Sequence, residues 1–124
     1  MDAVHAALTG AGLVVGLGGA PAPVPASQIY VALHVAPGTV GRESLADART
    51  DFELVFQVTC VGPTQEKCLW AAQRTRSALH GPVVVAGRTA WRPEELGGPP
   101  VQRDDDVSPP LYFLPVQYRL RTTA

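Results

Sequence analysis

Residues 51–61 read DFELVFQVTCV, and this stretch decides the fold. Apolar side chains occupy every second position of it, namely Phe52, Leu54, Phe56, Val58 and Cys60. The positions between them are half polar. Alternation with a period of two predicts a β-strand that turns one face to a core and the other to a more polar environment.

A helix is predicted directly after this strand. Gly62-Pro63 ends the strand, Thr64 is placed to begin a helix, and Gly81-Pro82 ends that helix. Small and apolar residues recur between these points at helical spacing: Cys68, Ala71, Ala72, Thr75, Ala78 and Leu79. We expect this stripe to pack on the inward face of the strand, beside the inward residues of a closing strand, Val116, Tyr118 and Leu120.

The rest of the chain completes an α+β fold. The other predicted elements are, in chain order, a helix over 1–13, a Gly/Pro-rich connection over 14–26, a strand over 29–35, a polar loop over 38–50, a short strand over 83–86 and a closing strand over 111–122. The order α-β-β-α-β-β predicts a mostly antiparallel sheet with helices packed on one face and with long loops. A length of 124 residues predicts a single domain, 1–124.

One long segment, residues 91–110, shows no periodicity. It contains Trp91, a Gly-Gly-Pro-Pro run and the acidic sequence Arg103-Asp-Asp-Asp106. Irregular segments of this length inside a small domain are usually functional or are ordered by a partner. We therefore expect an irregular interface arm here, which packs on a neighbouring subunit or another protein.

Charge and composition exclude several classes of protein. The chain has 10 basic and 11 acidic residues and a formal net charge of −1, which argues against a stand-alone nucleic-acid binder. With 46% hydrophobic and only 17% charged residues, it is too apolar for a disordered chain. The apolar residues 3–19 lack a basic start and are interrupted by glycine, so we predict neither a secretory signal nor a membrane span, and we expect a cytoplasmic origin.

No constellation of residues predicts catalysis, a cofactor or a metal site, and the protein is predicted not to be an enzyme. The glycines near residues 10–16 follow a helix instead of a strand, which does not fit a dinucleotide-binding fingerprint. The three histidines lie on separate elements, and the three consecutive aspartates lack the spacing of a calcium loop. Cys60 and Cys68 are predicted to be reduced core thiols, with a disulfide between them as the alternative.

Two blocks of sequence resemble the tail terminator, or tail completion, proteins of long-tailed bacteriophages. The first block is the strand 52–62 with the helix that ends in Arg74-Thr-Arg-Ser-Ala-Leu79. The second is RDDDVSPPLYF at 103–113, followed by Val116-Gln-Tyr-Arg-Leu120, and it is similar to the versions found in phages of high-GC actinobacteria. The resemblance covers roughly residues 27–122.

The resemblance implies a structural virion protein at the head-proximal end of a phage tail, assembled in the host cytoplasm. Such a subunit forms a hexameric ring that caps the tail tube, ends its polymerisation and offers a docking surface to the head–tail connector. Its implied partners are further copies of itself, the tail tube protein, the connector or neck protein and the tape measure protein, while DNA passes through the ring without specific binding. The alternatives are a connector, neck or tube subunit, or a small α+β ligand-binding module.

The candidate interface residues are charged side chains and one tryptophan: Trp91, Glu94, Glu95, Arg103, Asp104, Asp105, Asp106, Arg119 and Arg121. Because the chain is nearly neutral and has no cluster of Lys or Arg, we expect its arginines to pair with carboxylates, either locally or between subunits. The arginines in this prediction are Arg74, Arg76, Arg103, Arg119 and Arg121. For Trp70 and Tyr112-Phe113 the sequence predicts aromatic side chains that belong either to the core or to an interface.

Overall fold

A computed structural model describes residues 2–22, 25, 27–35, 39–40, 52–80, 89–90, 93–106 and 110–123. Two helices and eight strands lie in this part of the chain. They are α1 Asp2–Gly10, β1 Val15–Leu17, β2 Tyr30–Val35, β3 Thr39–Val40, β4 Phe52–Gly62, α2 Gln65–Ala78, β5 Thr89–Ala90, β6 Glu94–Gly97, β7 Gln102–Asp104 and β8 Leu111–Thr123. The predicted α+β class is confirmed. The predicted strand at 83–86 lies outside the described residues.

The sheet is built around one long antiparallel pair, β4 and β8. These strands are in register from Phe52 opposite Thr122 to Gly62 opposite Tyr112. β2 pairs antiparallel with the other side of β4, and β1 adds to β2 as a parallel strand. β5, β6 and β7 pair in turn with the far side of β8. The sheet is therefore mostly antiparallel, as predicted, with β1 at one edge and the β5–β7 segments at the other.

The core lies between one face of the sheet and the helices. Phe56, Val58 and Cys60 of β4 are buried, which confirms the alternation read from residues 51–61. The ring of Phe56 stacks on Tyr118 of β8, with the ring centroids 5.5 Å apart. The other buried residues that pack against this face are Val4, Leu8, Leu13, Val31, Leu33, Ala71, Leu79 and Leu120. The side chains of Phe52 and Leu54 lie outside the described residues.

Helix α2 begins where the sequence predicts. Thr64 has extended backbone angles, and its hydroxyl accepts a hydrogen bond from the Lys67 amide at 3.1 Å, which caps the first turn. Cys68, Ala71 and Thr75 are buried. Because these side chains are small, the helix can lie close to the sheet.

Two predicted loops contain strands. Within the Gly/Pro-rich connection, residues 15–17 form β1, which was too short and too rich in glycine to show alternation. Within the polar loop, Thr39–Val40 pairs with β4, and the other residues of that loop, apart from these two, lie outside the described part. The first helix is also shorter than predicted, because Gly12 adopts φ +87° just after it and ends the helical path.

The prediction that residues 91–110 form an irregular arm is wrong for two of the stretches that the structure describes there. Residues 94–97 and 102–104 are strands β6 and β7, and both pair antiparallel with β8. From β6 to β7 the chain follows β8 as one interrupted strand, whose pairing slips by one residue between Glu95 and Gly97 and by one more between β6 and β7. A slip inside a strand, as in β6, is a β-bulge and reverses the side-chain alternation. This is why no period of two is visible in the sequence.

Candidate functional site

The charged residues predicted as an interface lie along the outer side of β8. We call the side of residues 94–97 and 102–104 that faces away from β8 the β6–β7 edge. β6 is opposite Arg119 to Gln117, and β7 is opposite Phe113 to Leu111. The predicted residues that the structure describes therefore form two clusters, at two different positions along β8.

The first cluster joins β6 to helix α2. Arg76 donates two hydrogen bonds to Glu95, from Nε to Oε1 at 3.0 Å and from Nη2 to Oε2 at 3.1 Å. Glu95 is the cross-strand partner of Tyr118, and both residues line one groove together with Arg76. Burial raises the pKa of Tyr118, and the Glu95 carboxylate raises it further. The carboxylate also raises the pKa of Arg76, so both groups keep their protons at neutral pH.

The opposite face of the sheet holds the other half of this cluster. Arg119 Nη1 lies 4.0 Å from Glu94 Oε1, and the two residues are cross-strand partners. Arg121 is opposite Glu53 in the β4–β8 pair, but its side chain lies outside the described residues, as does the whole of Trp91. The prediction of local arginine–carboxylate pairs is confirmed for Arg76 and Arg119.

The second cluster is the acidic turn after β7. Arg103 Nε lies 2.6 Å from Asp105 Oδ1, which confirms a local pair here as well. Asp104 Oδ1 accepts a hydrogen bond from the Asp106 amide at 3.0 Å, so this carboxylate shapes the turn. Asp104 also borders a groove on the open face of the sheet beside Tyr30, whose pKa is raised by burial and then by this carboxylate.

The exposed face of α2 was missing from the predicted interface residues. Arg74 lies over the ring of Trp70, 5.0 Å from its centroid, which departs from the prediction that this arginine pairs with a carboxylate. Trp70 and its neighbour Leu69 are both more than two-fifths exposed. The signal was available in the sequence, because position 70 is opposite the apolar stripe on a helical wheel.

The residues in and beside the edge strand β1 were also missing from the predicted interface. Leu17 is 71% exposed and Val14 is 42% exposed, although both lie in or beside a strand of the sheet. Exposed apolar side chains at the edge of a sheet commonly mark a contact with another chain. Apolar residues in an uncharged, glycine-rich segment are a weak signal for an interface. The sequence therefore predicts only a loop at this position.

The chemistry of the two cysteines is that of core residues. Both are free and fully buried, as predicted. Cys68 Sγ donates to the Cys60 carbonyl at 3.2 Å, and Cys60 Sγ lies 3.7 Å from Thr75 Oγ1. Burial raises the pKa of Cys60 to about 12 and that of Cys68 to about 11, so neither thiol is a nucleophile at neutral pH.

Two further findings concern the described residues alone. These residues contain no group of three His, Cys, Asp or Glu side chains that could hold a metal ion. None of the described helices is long and apolar enough to span a membrane.

The fold is similar to that of a chain in a solved virion. The sequence itself matches no protein-family model and no curated protein. The structure matches a chain from the virion of a native gene transfer agent particle with a TM-score of 0.66 at 16% identity, over 99% of this chain and 93% of that chain. A second solved structure matches with a TM-score of 0.60 at 17% identity, over 98% of this chain and 94% of that chain. This chain therefore shares its fold, over nearly its full length, with a chain of a virion.

Proposed function

We propose that this chain is a structural protein of a phage-type virion and that it acts there as a tail terminator. In this role it caps the tail tube as a hexameric ring, ends tube polymerisation and provides the docking surface for the head–tail connector. The observation that carries the proposal is the fold shared with a chain of the gene transfer agent virion, over nearly the full length of both chains. The resemblance of residues 52–62 and 103–120 to tail terminators selects this role among virion proteins.

The surface of the described residues supports a role in assembly. The fold brings charged side chains together as ion pairs within the chain, such as Arg76–Glu95 and Arg103–Asp105. Pairs of this kind fix geometry and partner choice more than they add affinity. Apolar side chains such as Leu17 and Trp70 remain exposed beside them. A virion subunit needs this combination, because several of its faces become buried against other chains.

The proposed contacts follow from these surfaces. The candidate residues of β6, β7 and the acidic turn contact a neighbouring copy or another tail protein, and Trp91 and Arg121 belong to the same proposed interface. The tail tube protein and the connector occupy the two faces of the ring, and the tape measure protein ends beneath it. With a net charge of −1 and no basic cluster, the ring lets DNA pass without binding it.

The test compares particles assembled with and without this chain. Electron microscopy is expected to show tails of uniform length joined to heads when the chain is present, and overlong or headless tails when it is absent. Mass spectrometry of intact particles measures the number of copies, for which the ring predicts six. Joined particles with tails of normal length in the absence of the chain would contradict the proposal.

A further inference from the structure

β1 offers free backbone groups at one edge of the sheet. Among the strands that the structure describes, it pairs only with β2. Val14 accepts and Gly18 donates a backbone hydrogen bond on the β2 side, at 2.9 and 2.8 Å. Alternate residues of a strand direct their N–H and C=O groups to opposite sides. The groups of Val15 and Leu17 therefore point away from β2, and we call this side of residues 14–18 the β1 edge.

Apart from its length of only three residues, the β1 edge lacks the features that usually protect an edge strand. Residues 10–27 contain no charged side chain. Leu17 and Val14 are exposed at this edge, and Val35 of the neighbouring strand is 46% exposed. Native proteins place charges, prolines or bulges on exposed edges, because a bare edge pairs with other chains. We therefore expect an edge that is both uncharged and apolar to be covered by another chain.

Strand β6, on the opposite edge of the same sheet, matches it in charge. Glu94 and Glu95 of β6 each lie within 4.0 Å of an arginine of the same chain. A strand laid beside β6 leaves neither of these carboxylates without a cation. Leu96 in the bulge of β6 is 39% exposed and offers an apolar contact. A neutralised edge suits an uncharged strand, whereas an uncompensated one would have to be desolvated at a cost.

We propose that the β1 edge of one copy of this chain binds the β6–β7 edge of a second copy, so that the sheet continues from copy to copy. The contact joins two different surfaces, and head-to-tail contacts of this kind form a ring when the rotation between successive copies closes. It therefore rests on the proposed ring and names the surfaces that form it. A β1 edge paired with another β1 edge would instead give a two-fold dimer that grows no further.

Cysteine cross-linking tests which edges meet. The variant carries Leu17→Cys and Leu96→Cys in one chain, and the native cysteines do not interfere because both are fully buried. Mild oxidation of the concentrated protein is expected to give a ladder of oligomers on a non-reducing gel. Each single variant is expected to stay uncross-linked. A dimer formed by Leu17→Cys alone, or the absence of any ladder from the double variant, overturns the proposal.

A charge placed on the β1 edge provides a second test with a matched control. Leu17→Lys is expected to weaken self-association, measured by sedimentation, by about tenfold or more, because it replaces a buried apolar contact. Gln73→Lys, which places the same charge at an exposed site on α2, is expected to leave self-association unchanged. Equal effects of the two variants overturn the proposal. An unchanged sedimentation profile for Leu17→Lys overturns it as well.

Failure of this contact and failure of the proposed function give different results. If the double cysteine variant caps tails but shows no ladder on them, the edge contact is wrong and the terminator function stands. If the ladder forms but tails reach normal length and join heads without the chain, the contact stands and the function is wrong.

Discussion

Arg76 of helix α2 donates two hydrogen bonds, of 3.0 and 3.1 Å, to the carboxylate of Glu95 in strand β6. The two residues are 19 apart in sequence, and their elements lie in different layers of the fold. Glu95 also faces Tyr118 across the β6–β8 pair. One carboxylate thus connects the helix layer, the edge of the sheet and its central strand β8. The position of β6 on β8 is set in part from the helix side.

Breaking this pair is expected to loosen β6 more than it destabilises the domain. Arg76→Ala should lower the free energy of unfolding by only about 0.5–1 kcal/mol, because the pair is largely exposed to solvent. Hydrogen exchange should nevertheless become faster at the amides of Glu94–Gly97. Urea unfolding and residue-resolved exchange measure the two effects. Arg74→Ala, on the same helix but away from β6, is the control and should leave the exchange of β6 unchanged.

Gly98 is expected to tolerate no side chain. A Cβ at this position would lie within van der Waals overlap of the Pro115 carbonyl oxygen, which belongs to the backbone of β8 and cannot move cheaply. Gly98→Ala should therefore destabilise the protein by about 1–3 kcal/mol, as overpacking does. Gly10→Ala is the matched control, because nothing lies within 4 Å of a Cβ there and the residue ends a helix. Thermal unfolding that is equal for both variants would refute the close approach.

The sequence predicts the centre of this fold and misses its edges. The strand at 52–62 and the helix after Thr64 carry unbroken periodicities, because the side chains described on their inward faces meet one common core. β1, β6 and β7 have three or four residues each, and one-residue slips separate the segments along β8. A strand of that length has too few positions to show a period, and its stability comes from a long partner strand.

The sequence predicts which charged residues form the candidate site, but it does not predict how the fold arranges them. Pairing of arginines with nearby carboxylates follows from a near-neutral chain, and Arg103 with Asp105 bears this out. The partner of Glu95, however, comes from the helix, because Glu95 is opposite Tyr118 and so lies on the face of the sheet that packs against the helices. The exposed apolar residues were missed for a different reason. Exposure of Leu17 depends on which strand ends the sheet, and this is a property of the whole topology.

Phe56 is expected to be the most sensitive position in the core. It is 1% exposed, and its ring stacks on Tyr118. Phe56→Ala should cost about 3–5 kcal/mol, through lost burial and the cavity that remains. Val55→Ala, one residue earlier and on the opposite face of β4, should cost less than half as much. Urea unfolding measures both, and equal costs would mean that the two faces of β4 are packed alike.

Stability is expected to fall above pH 9. Burial raises the pKa of Cys60 from its ordinary 9.0 to about 12 and that of Cys68 to about 11. Below pH 9 both thiols are neutral in the folded and unfolded states, so their contribution is fully present. Above pH 9 the thiols ionise in the unfolded chain first, and each lowers the free energy of unfolding by about 1.4 kcal/mol per pH unit until it ionises in the folded state too.

Urea unfolding between pH 7 and pH 10 measures this slope. A Cys60→Ala and Cys68→Ala double variant should lose most of the decline between pH 9 and pH 10, although it is less stable at neutral pH. Native protein at pH 8 should also react with a thiol reagent no faster than it unfolds. A fast reaction in the folded state would show that at least one thiol is accessible.

The acidic turn is expected to act in docking and not in folding. Changing Asp104, Asp105 and Asp106 together to Asn keeps an oxygen at position 104 that can accept the hydrogen bond from the residue 106 amide. The fold should therefore persist, with a change in the free energy of unfolding of about 1 kcal/mol or less for exposed groups. Arg103, however, loses the carboxylate that lies 2.6 Å away, and the turn changes from acidic to basic.

A surface that recognises its partner by charge should respond to this reversal. Joining of heads to tails completed with the variant is expected to be slower by roughly tenfold, since exposed charges act mainly on association rate and partner choice. Asp105→Asn alone serves as the control, because it breaks the ion pair with Arg103 but leaves two carboxylates in the turn. If Asp105→Asn alone slows joining as much as the triple variant does, the ion pair matters and the net charge of the turn does not.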